Sequence, residues 1–539
     1  MCIFTVISSY GQYNLYYNQK PDRENLRKVA YELAADEFWG RGTGQKGGFI
    51  AADYLAAKFG EIGLKQFPGY ENFEQNVPLH EITVQPESVL ELYNSVDTIL
   101  PEINFEYLVH KTGSGTIIPK PVEMVFAGFG ISAPEYDYND YRNINVLNKI
   151  VVCYSGEPES DDDIYFMGNI ATKHSNIDIK QRTALAQGAK ACIIIPNPID
   201  FDYEEWTKTV YEYSFPELSL AYSPSDILTL LIQPEIASKL FAYEKYDYET
   251  LSKMFFENKL ISFEMKSKMT FRGFYKDRIF FSPNIIGYLE GSDSKLKQTC
   301  VIVTAHYDHL GIGPAIRGDS IYNGMLDNAM GVSSLLEIAR IMQKSEAKPL
   351  RSVVFMLTTA EEKGLLGSLH YLNYPAFPLY KTIANINIDG MAFIDNFNSV
   401  VGIGSKLSEL DTILRTTARN MNLYLEEFPQ EFIEIESFNR SDQIAFASAG
   451  IPGMMVMDGT HYKNVSRDYG IFRLVEYMAG FYHTPFDDTD ILINWHAAVQ
   501  HTHLLMNLIA TVAMSETEPE WAEWTNYYYE RIKLKNEKR

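Results

Sequence analysis

The chain contains little cysteine, with 4 in 539 residues. The four positions, Cys2, Cys153, Cys192 and Cys300, have the spacing of neither a zinc ribbon nor a redox pair. Cys153 and Cys192 lie in the apolar runs "KIVVCY" and "KACIII", which is typical of small buried side chains in strands. We therefore predict a fold that is not held together by disulfides.

Long apolar runs are absent as well, since no segment approaches the ~20 residues that span a bilayer. Basic residues are outnumbered 47 to 70, and the net charge of -23 argues against nucleic acid or an anionic membrane as the main partner. Neither observation indicates an oligomeric state. The start, "MCIFTVISSYGQ", resembles the end of a signal peptide but lacks a basic segment. We predict that residues 1–20 are a signal-peptide remnant or an N-terminal extension, and that the protein is exported.

No internal repeat or low-complexity tract appears, and 539 residues exceed one compact core, so we expect two or three domains. In 21–114 two helices are predicted around a Gly-rich turn, the first with Leu26, Val29 and Leu33 on one face. The segment 115–265 has short β-branched runs bounded by Gly, Pro and Asn, which predicts a small β-rich domain. The remainder, 266–539, is predicted to form the main domain of the chain together with 21–114.

From about residue 280 the pattern is α/β. The strand "TCVIVTAHYD" precedes the helix "GVSSLLEIARIMQ", the strand "RSVVFMLTTAEE", a short helix "GLLGSLHYL" and the strand "TIANINID". Such alternation predicts a mostly parallel mixed sheet with helices on both faces. Ligands of these sheets bind at the carboxyl ends of the strands.

Histidines and carboxylates follow the predicted strands or stand in nearby loops at five separate places. Imidazole and carboxylate together suit zinc or a similar divalent metal. Two imidazoles and three carboxylates exceed the need of one zinc and suit two metals ~3.5–4 Å apart that share a carboxylate. Paired cations would also offset the repulsion between the adjacent acids of "TTAEEKG". The residues at the five places are His306 with Asp308, Asp327, Glu361 with Glu362, Asp389, and His483 beside Tyr482.

In this order the motifs resemble the co-catalytic zinc aminopeptidase family, which also includes glutamate carboxypeptidase and the transferrin receptor. "ELAADEFWGRGTGQKGGFIAADYLAAKFGEIGL" is similar to that family's N-terminal helices, and "PNIIGYLEGSD" to the lead-in to its first catalytic strand. The segment 115–265 resembles an inserted protease-associated domain through "AGFGISAPEYDYNDYRNINVLNKIVVCYSGEP" and "RTALAQGAKACIII". The resemblance implies the zinc exopeptidase fold and an aminopeptidase that acts on peptides.

The resemblance also implies a role for each residue. His306 and Asp389 would hold one zinc, Glu362 and His483 the other, and Asp327 both. Glu361 would be the general base that transfers the proton of the attacking water to the leaving amine. Asp308 would hydrogen-bond the His306 imidazole and fix its tautomer, and Tyr482 would donate to the oxyanion.

Several alternatives remain open. His309 competes with His306 as a ligand, and His461 competes with His483. Gln443 stands where the family commonly has His after a Ser-Asp pair, which leaves the specificity pocket open. The alternative functions are a carboxypeptidase, a glutaminyl cyclase-like enzyme with one zinc, and a receptor-like binding protein without catalysis.

Overall fold

The structure is a computed structural model that describes residues 16–160, 165–166, 172–198, 203–223, 226–427 and 438–538. These residues form two compact units. The larger unit comprises the described residues up to Leu79 and those from Phe280 onward, and the smaller comprises His80–Ile279. Cys2 and most of the predicted N-terminal extension lie outside the described residues, so the prediction of a signal segment stays a prediction.

The α-helices follow the 3.6-residue periodicity of the apolar residues. In chain order they are α1 Arg23–Leu33, α2 Lys46–Ile62, α3 Ile177–Ala186, α4 Tyr203–Glu212, α5 Pro234–Phe241, α6 Tyr248–Phe256, α7 Met330–Lys344, α8 Leu366–Asn373, α9 Leu410–Asn420, α10 Gln443–Ser448, α11 Arg467–Gly480, α12 Trp495–Met514 and α13 Asn526–Glu537. No helix in this described part is both long and apolar enough to cross a bilayer.

The strands are shorter and richer in β-branched residues. In chain order they are β1 Glu74–Val84, β2 Val89–Tyr93, β3 Thr98–Ile99, β4 Tyr107–Thr112, β5 Ile118–Phe126, β6 Ser132–Ala133, β7 Tyr138–Asn139, β8 Ile150–Tyr154, β9 Ala191–Ile195, β10 Glu217–Leu220, β11 Leu228–Ile232, β12 Phe263–Arg272, β13 Tyr275–Leu289, β14 Cys300–His306, β15 Gly311–Ile316, β16 Asp319–Tyr322, β17 Ser352–Thr358, β18 Thr382–Asn387, β19 Ser399–Ile403, β20 Tyr424–Leu425 and β21 Gly453–Asp458.

The central sheet of the larger unit contains the strands in the order β1, β13, β17, β14, β18, β21, β19, β20. β14 runs parallel to β17 and β18, and β18 runs parallel to β21, whereas β13 and β19 are antiparallel to their neighbours β17 and β21. Successive side chains point to opposite faces. Val301 and Phe355 therefore enter the core beneath α7 and α12, while Ile302 and Met356 enter a second core on the other face. The predicted mixed α/β sheet covered on both faces is confirmed.

The sheet of the smaller unit has the order β3, β2, β12, β5, β8, β9, β11, β4. Its two faces bury separate apolar clusters, as shown by the neighbours Val152 and Cys153, which enter different ones. Cys153, Cys192 and Cys300 are all buried free thiols, as the sequence predicts. The predicted insert, 115–265, lies within this unit, but the unit begins earlier and ends later. The reason is that β2, β4 and β12 pair into the same sheet as the β-rich run.

Helix α1 is fixed to α7 through one buried carboxylate, that of Glu337. Its oxygens accept the backbone N–H of Asp22 and the side-chain amide of Asn25, each at 2.7 Å. Arg340 donates to the same oxygens at 2.6 and 2.7 Å. Since Asp22 caps the N-terminus of α1, Glu337 sets where that helix begins.

Replacing Glu337 by Ala should lower the free energy of unfolding by about 2–3 kcal/mol, because it leaves Asn25 and the Arg340 guanidinium without their acceptor. Urea unfolding followed by circular dichroism measures the loss. Glu346→Ala, at an exposed position shortly after α7, is the matched control and should change stability by less than about 0.5 kcal/mol. Equal stability of the two variants would contradict the role given to Glu337.

Candidate metal centre

The strand ends that carry the predicted site residues lie at one edge of the sheet. β14 pairs in parallel with β17, where His306 lies opposite Thr358. β14 also pairs in parallel with β18, where Thr304 lies opposite Asn387. The segments that follow these strands therefore leave the sheet side by side. Through them the sheet brings His306, the Glu361–Glu362 pair and Asp389 to one place.

The two adjacent glutamates lie in an irregular turn between β17 and α8. Ala360 has a left-handed φ of 54°, and the turn is closed by N–H groups of Gly364 and Leu365 that donate to the Glu361 carbonyl, both at 2.9 Å. A regular strand would point the two acids to opposite faces. The left-handed residue ends that alternation at a backbone cost of roughly 1–3 kcal/mol. Both carboxylates are then available to the same site.

Asp327 lies at the centre of the cluster, in a buried turn just before α7. Its Oδ1 is 3.1 Å from His306 Nε2, and its Oδ2 is 3.5 Å from His483 Nε2. Asp389 Oδ1 is also 3.1 Å from His306 Nε2, and Glu362 Oε2 is 3.1 Å from His483 Nε2. The five predicted ligands thus form two groups of donors that share the Asp327 carboxylate.

These separations fit a metal in each group. Two ligand atoms on one tetrahedral zinc, each ~2.0–2.1 Å from the ion, stand ~3.3 Å apart. The observed 3.1–3.5 Å between nitrogen and oxygen donors matches that spacing on both sides of Asp327. Moreover, His306 Nδ1 contacts the Asp308 carbonyl oxygen at 3.1 Å, which places its N–H there and leaves Nε2 to face a cation. The donor set therefore suits zinc.

The pKa values of the two adjacent glutamates are shifted in opposite directions. Burial alone would raise the pKa of Glu362, and Asp327 adds to this, but the His483 and His309 imidazoles outweigh both and lower it well below its usual value. For Glu361, burial raises the pKa well above its usual value against the opposing effect of His306, and Asp389 and Glu362 add to the increase. Neighbouring acids with pKa values pushed apart are typical of a site that divides ionic and proton-transfer roles.

Asp308 contacts the His306 imidazole through its backbone carbonyl oxygen, 3.1 Å from Nδ1. Because β14 ends at His306, the chain turns there and brings this carbonyl back to the ring. The Asp308 carboxylate instead accepts the N–H of Glu361 and the hydroxyl of Thr43, each at 3.1 Å. Asp308 therefore positions the Glu361 turn.

His309, the predicted rival of His306 as a ligand, also contacts the cluster. Its side chain is fully buried, and its Nδ1 lies 2.6 Å from Glu362 Oε1. The signal was present in "HYDH", where a second imidazole follows the same strand end. The other rival, His461, contacts Glu426 at 3.2 Å.

The remaining predicted residues lie beside the cluster. The Tyr482 ring stacks on His483 with centroids 3.9 Å apart. Burial raises the pKa of the Tyr482 phenol, so it stays protonated.

Gln443 is buried, and its side-chain amide bonds to protein groups. It accepts a hydrogen bond from Asn387 at 2.8 Å and donates one to the Phe438 carbonyl at 2.9 Å.

Asp487 supports the Asp327 turn from behind. Its carboxylate accepts the N–H groups of Leu326 at 2.9 Å and Asp327 at 3.0 Å, and the hydroxyl of Tyr477 at 3.1 Å. Because Asp487 follows His483 by four residues, it ties the segment that carries one imidazole to the turn that carries the shared carboxylate. Asp487 therefore caps the turn that carries Asp327.

Arg41 holds the same turn from the other side. Its buried guanidinium donates to the carbonyl oxygens of Tyr307 and Gly324, each at 2.8 Å, and to that of Asn323. It thereby joins the segment that follows His306 to the segment that precedes Asp327. Its positive charge also lies near the buried carboxylates of Asp487 and Asp327, which raise the Arg41 pKa against the larger lowering effect of burial.

A segment of the larger unit matches a known protein family. Residues 284–509, less than half of the chain, match the family model described as Peptidase family M28. All five predicted metal ligands lie within it.

Known proteins resemble the chain over different lengths. It is 36% identical over 110 residues to "Aminopeptidase YwaD" of Bacillus subtilis (strain 168), which covers 20% of this chain and 21% of that protein. It is 27% identical over 223 residues to "Aminopeptidase Y" of Saccharomyces cerevisiae (strain ATCC 204508 / S288c), which covers 40% of this chain and 36% of that protein. The chain therefore spans about a fifth and about a third of the lengths of these relatives.

One solved structure resembles nearly the whole chain. It is titled "Aminopeptidase from Aneurinibacillus sp. strain AM-1", with a TM-score of 0.53 and 18% sequence identity over 91% of this chain and 93% of that one. At this identity the likeness establishes the fold.

Replacing Asp487 by Asn should weaken zinc binding ~10–100-fold, because the amide presents a donor to backbone N–H groups that need an acceptor. Competition against a chromophoric chelator measures the affinity. The matched control is Asp488→Asn at the next position, whose carboxylate accepts the N–H of Asp490. Equal zinc affinity in both variants would show that Asp487 does not support the metal centre.

Proposed function

We propose that the protein is a zinc-dependent aminopeptidase with two zinc ions per chain, which releases N-terminal residues from peptides. The observation that carries the proposal is the position of Asp327 between two imidazoles, with one carboxylate oxygen toward each at 3.1 and 3.5 Å. A single zinc would not need a carboxylate that faces two separate donor groups. The aminopeptidase names of the relatives agree with this activity.

The five ligands take unequal parts. His306 and Asp389 would hold one zinc, Glu362 and His483 would hold the other, and Asp327 would be available to both. When bound, zinc supplies Lewis acidity at the scissile carbonyl and makes water a nucleophile near neutral pH. Two divalent cations would also offset the repulsion among the four clustered carboxylates of Asp327, Glu361, Glu362 and Asp389.

Glu361 is the proton carrier. Its raised pKa allows it to take a proton from the attacking water and to give it to the leaving amine within one turnover. Asp308 holds the backbone of Glu361 in place through the 3.1 Å hydrogen bond. Tyr482, kept protonated in its buried position, donates its O–H to the oxyanion of the tetrahedral intermediate.

The smaller unit, His80–Ile279, is proposed to be a protease-associated domain. Two features of this unit support that assignment. Its sheet buries apolar side chains on both faces, and its strands β8 and β9 lie within the segments on which the resemblance rests.

Glu361→Gln should keep both zinc ions and reduce kcat ~10²–10⁴-fold, since the amide keeps the size of the side chain but cannot carry the proton. Zinc content by atomic absorption and steady-state hydrolysis of an aminoacyl-p-nitroanilide are measured on the same sample. Near-normal turnover would remove Glu361 from the mechanism.

Glu362→Ala, at the adjacent position, should instead lower the zinc content from two toward one per chain, because one of the two donor groups loses its carboxylate. The pair forms a matched comparison between neighbouring acids. Full zinc content in this variant would contradict the ligand assignment.

A peptide panel tests the aminopeptidase activity itself. Peptides with free N-termini should be cleaved, and the same peptides with acetylated N-termini should not. Equal cleavage of both sets would reject an aminopeptidase and keep a metallopeptidase, whereas loss of cleavage on C-terminal amidation would indicate a carboxypeptidase. Cyclisation of an N-terminal glutamine, with one zinc per chain, would indicate a glutaminyl cyclase-like enzyme. Two bound zinc ions without any turnover would indicate a binding protein.

A further inference from the structure

We propose that His309 is a positioning residue of the metal centre, which fixes Glu362 by a hydrogen bond from Nδ1 to Oε1 so that Oε2 is presented to the zinc. The inference rests on the proposed two-zinc function, because it concerns how one of the ligands is held. It assigns a role to an imidazole that is not among the five predicted ligands.

The contact distance distinguishes a hydrogen bond from shared coordination. His309 Nδ1 is 2.6 Å from Glu362 Oε1. Two ligand atoms of one tetrahedral zinc would lie ~3.3 Å apart. The Nε2 atoms of His306 and His483 lie at about this distance, 3.1–3.5 Å, from their carboxylate oxygens. Charge-assisted N–H···O bonds are ~2.7–2.9 Å, so the shorter contact fits a donor and its acceptor. His309 Nδ1 is also 3.8 Å from Asp327 Oδ2, which is beyond hydrogen-bond distance.

The two oxygens of Glu362 are divided between two imidazoles. Oε1 contacts His309 Nδ1, and Oε2 lies 3.1 Å from His483 Nε2 on the side of the donor group. Glu362 projects from an irregular turn, where no regular backbone hydrogen bonds set the direction of its long side chain. A fixed donor on one oxygen therefore decides which oxygen reaches the metal.

The other ring nitrogen indicates where the proton lies. Within the described residues His309 Nε2 is buried without a hydrogen-bond partner. A buried N–H without an acceptor is destabilising. The neutral tautomer with its proton on Nδ1 avoids that cost and supplies the donor that Glu362 needs.

The His309 ring itself is held firmly. A Cβ atom on Gly324 would come within 2.6 Å of the ring, so the glycine leaves room for the imidazole to pack against the backbone. The rings of His309 and His483 meet edge to face with centroids 5.8 Å apart. The backbone N–H of His309 donates to the Arg41 carbonyl at 3.4 Å. A side chain packed in this way can orient a neighbouring ligand.

Three substitutions distinguish a donor at Nδ1 from other roles. The amide nitrogen of Asn at position 309 occupies nearly the place of Nδ1, whereas that of Gln lies nearer the place of Nε2. His309→Asn should therefore bind the second zinc within about 3-fold of the unmodified protein, and His309→Gln and His309→Ala should bind it ~10–100-fold more weakly. The control is His461→Gln, which removes a histidine–glutamate contact outside the cluster.

Zinc affinity is measured by chelator competition, and the coordination by the visible absorption of the protein loaded with Co²⁺. Circular dichroism melting establishes that each variant is folded. Unchanged affinity in His309→Gln and His309→Ala would overturn the inference. Equal weakening in His309→Asn, with an altered Co²⁺ spectrum, would also overturn it and make His309 a direct ligand. Fewer than two zinc ions in the unmodified protein would overturn the proposed metal centre, and the inference with it.

Discussion

The structure of the site depends on one carboxylate, that of Asp327, which stands buried between two imidazoles. Each of its oxygens faces a different histidine, and each histidine faces one further carboxylate. So many acids in a buried place would repel one another if no cations were bound. The donor set of this cluster therefore suits the binding of cations, with Asp327 at its centre.

Much of the surrounding structure holds the Asp327 turn and its neighbours in place. Asp487 accepts the N–H groups of the turn, and Arg41 donates to the Gly324 carbonyl just before it. Asp308 fixes the Glu361 turn in the same manner. These contacts are made largely to backbone atoms, which a change of side-chain rotamer does not release. The result is a site whose ligands come from distant parts of the sequence but are held by short, buried hydrogen bonds.

The adjacent glutamates show how backbone and electrostatics act together. The left-handed Ala360 turns both side chains toward the site. Their surroundings then raise the pKa of Glu361 and lower that of Glu362. Two chemically identical neighbours thereby become suited to different tasks, the transfer of a proton and the binding of a cation. In the proposed arrangement His309 also orients the Glu362 carboxylate through its contact with Oε1.

The apolar periodicity predicted the alternating strands and helices of the larger unit. It also predicted that polar residues follow the strand ends. The parallel pairing of β14, β17 and β18 then brings those ends together. Three features could be seen only in the folded chain. The Asp308 carbonyl oxygen contacts His306, His309 contacts Glu362, and the smaller unit begins near His80. Local sequence does not encode these features. They depend on a left-handed alanine, on long-range strand pairing and on side-chain directions, all of which are fixed by packing against residues far away in the chain.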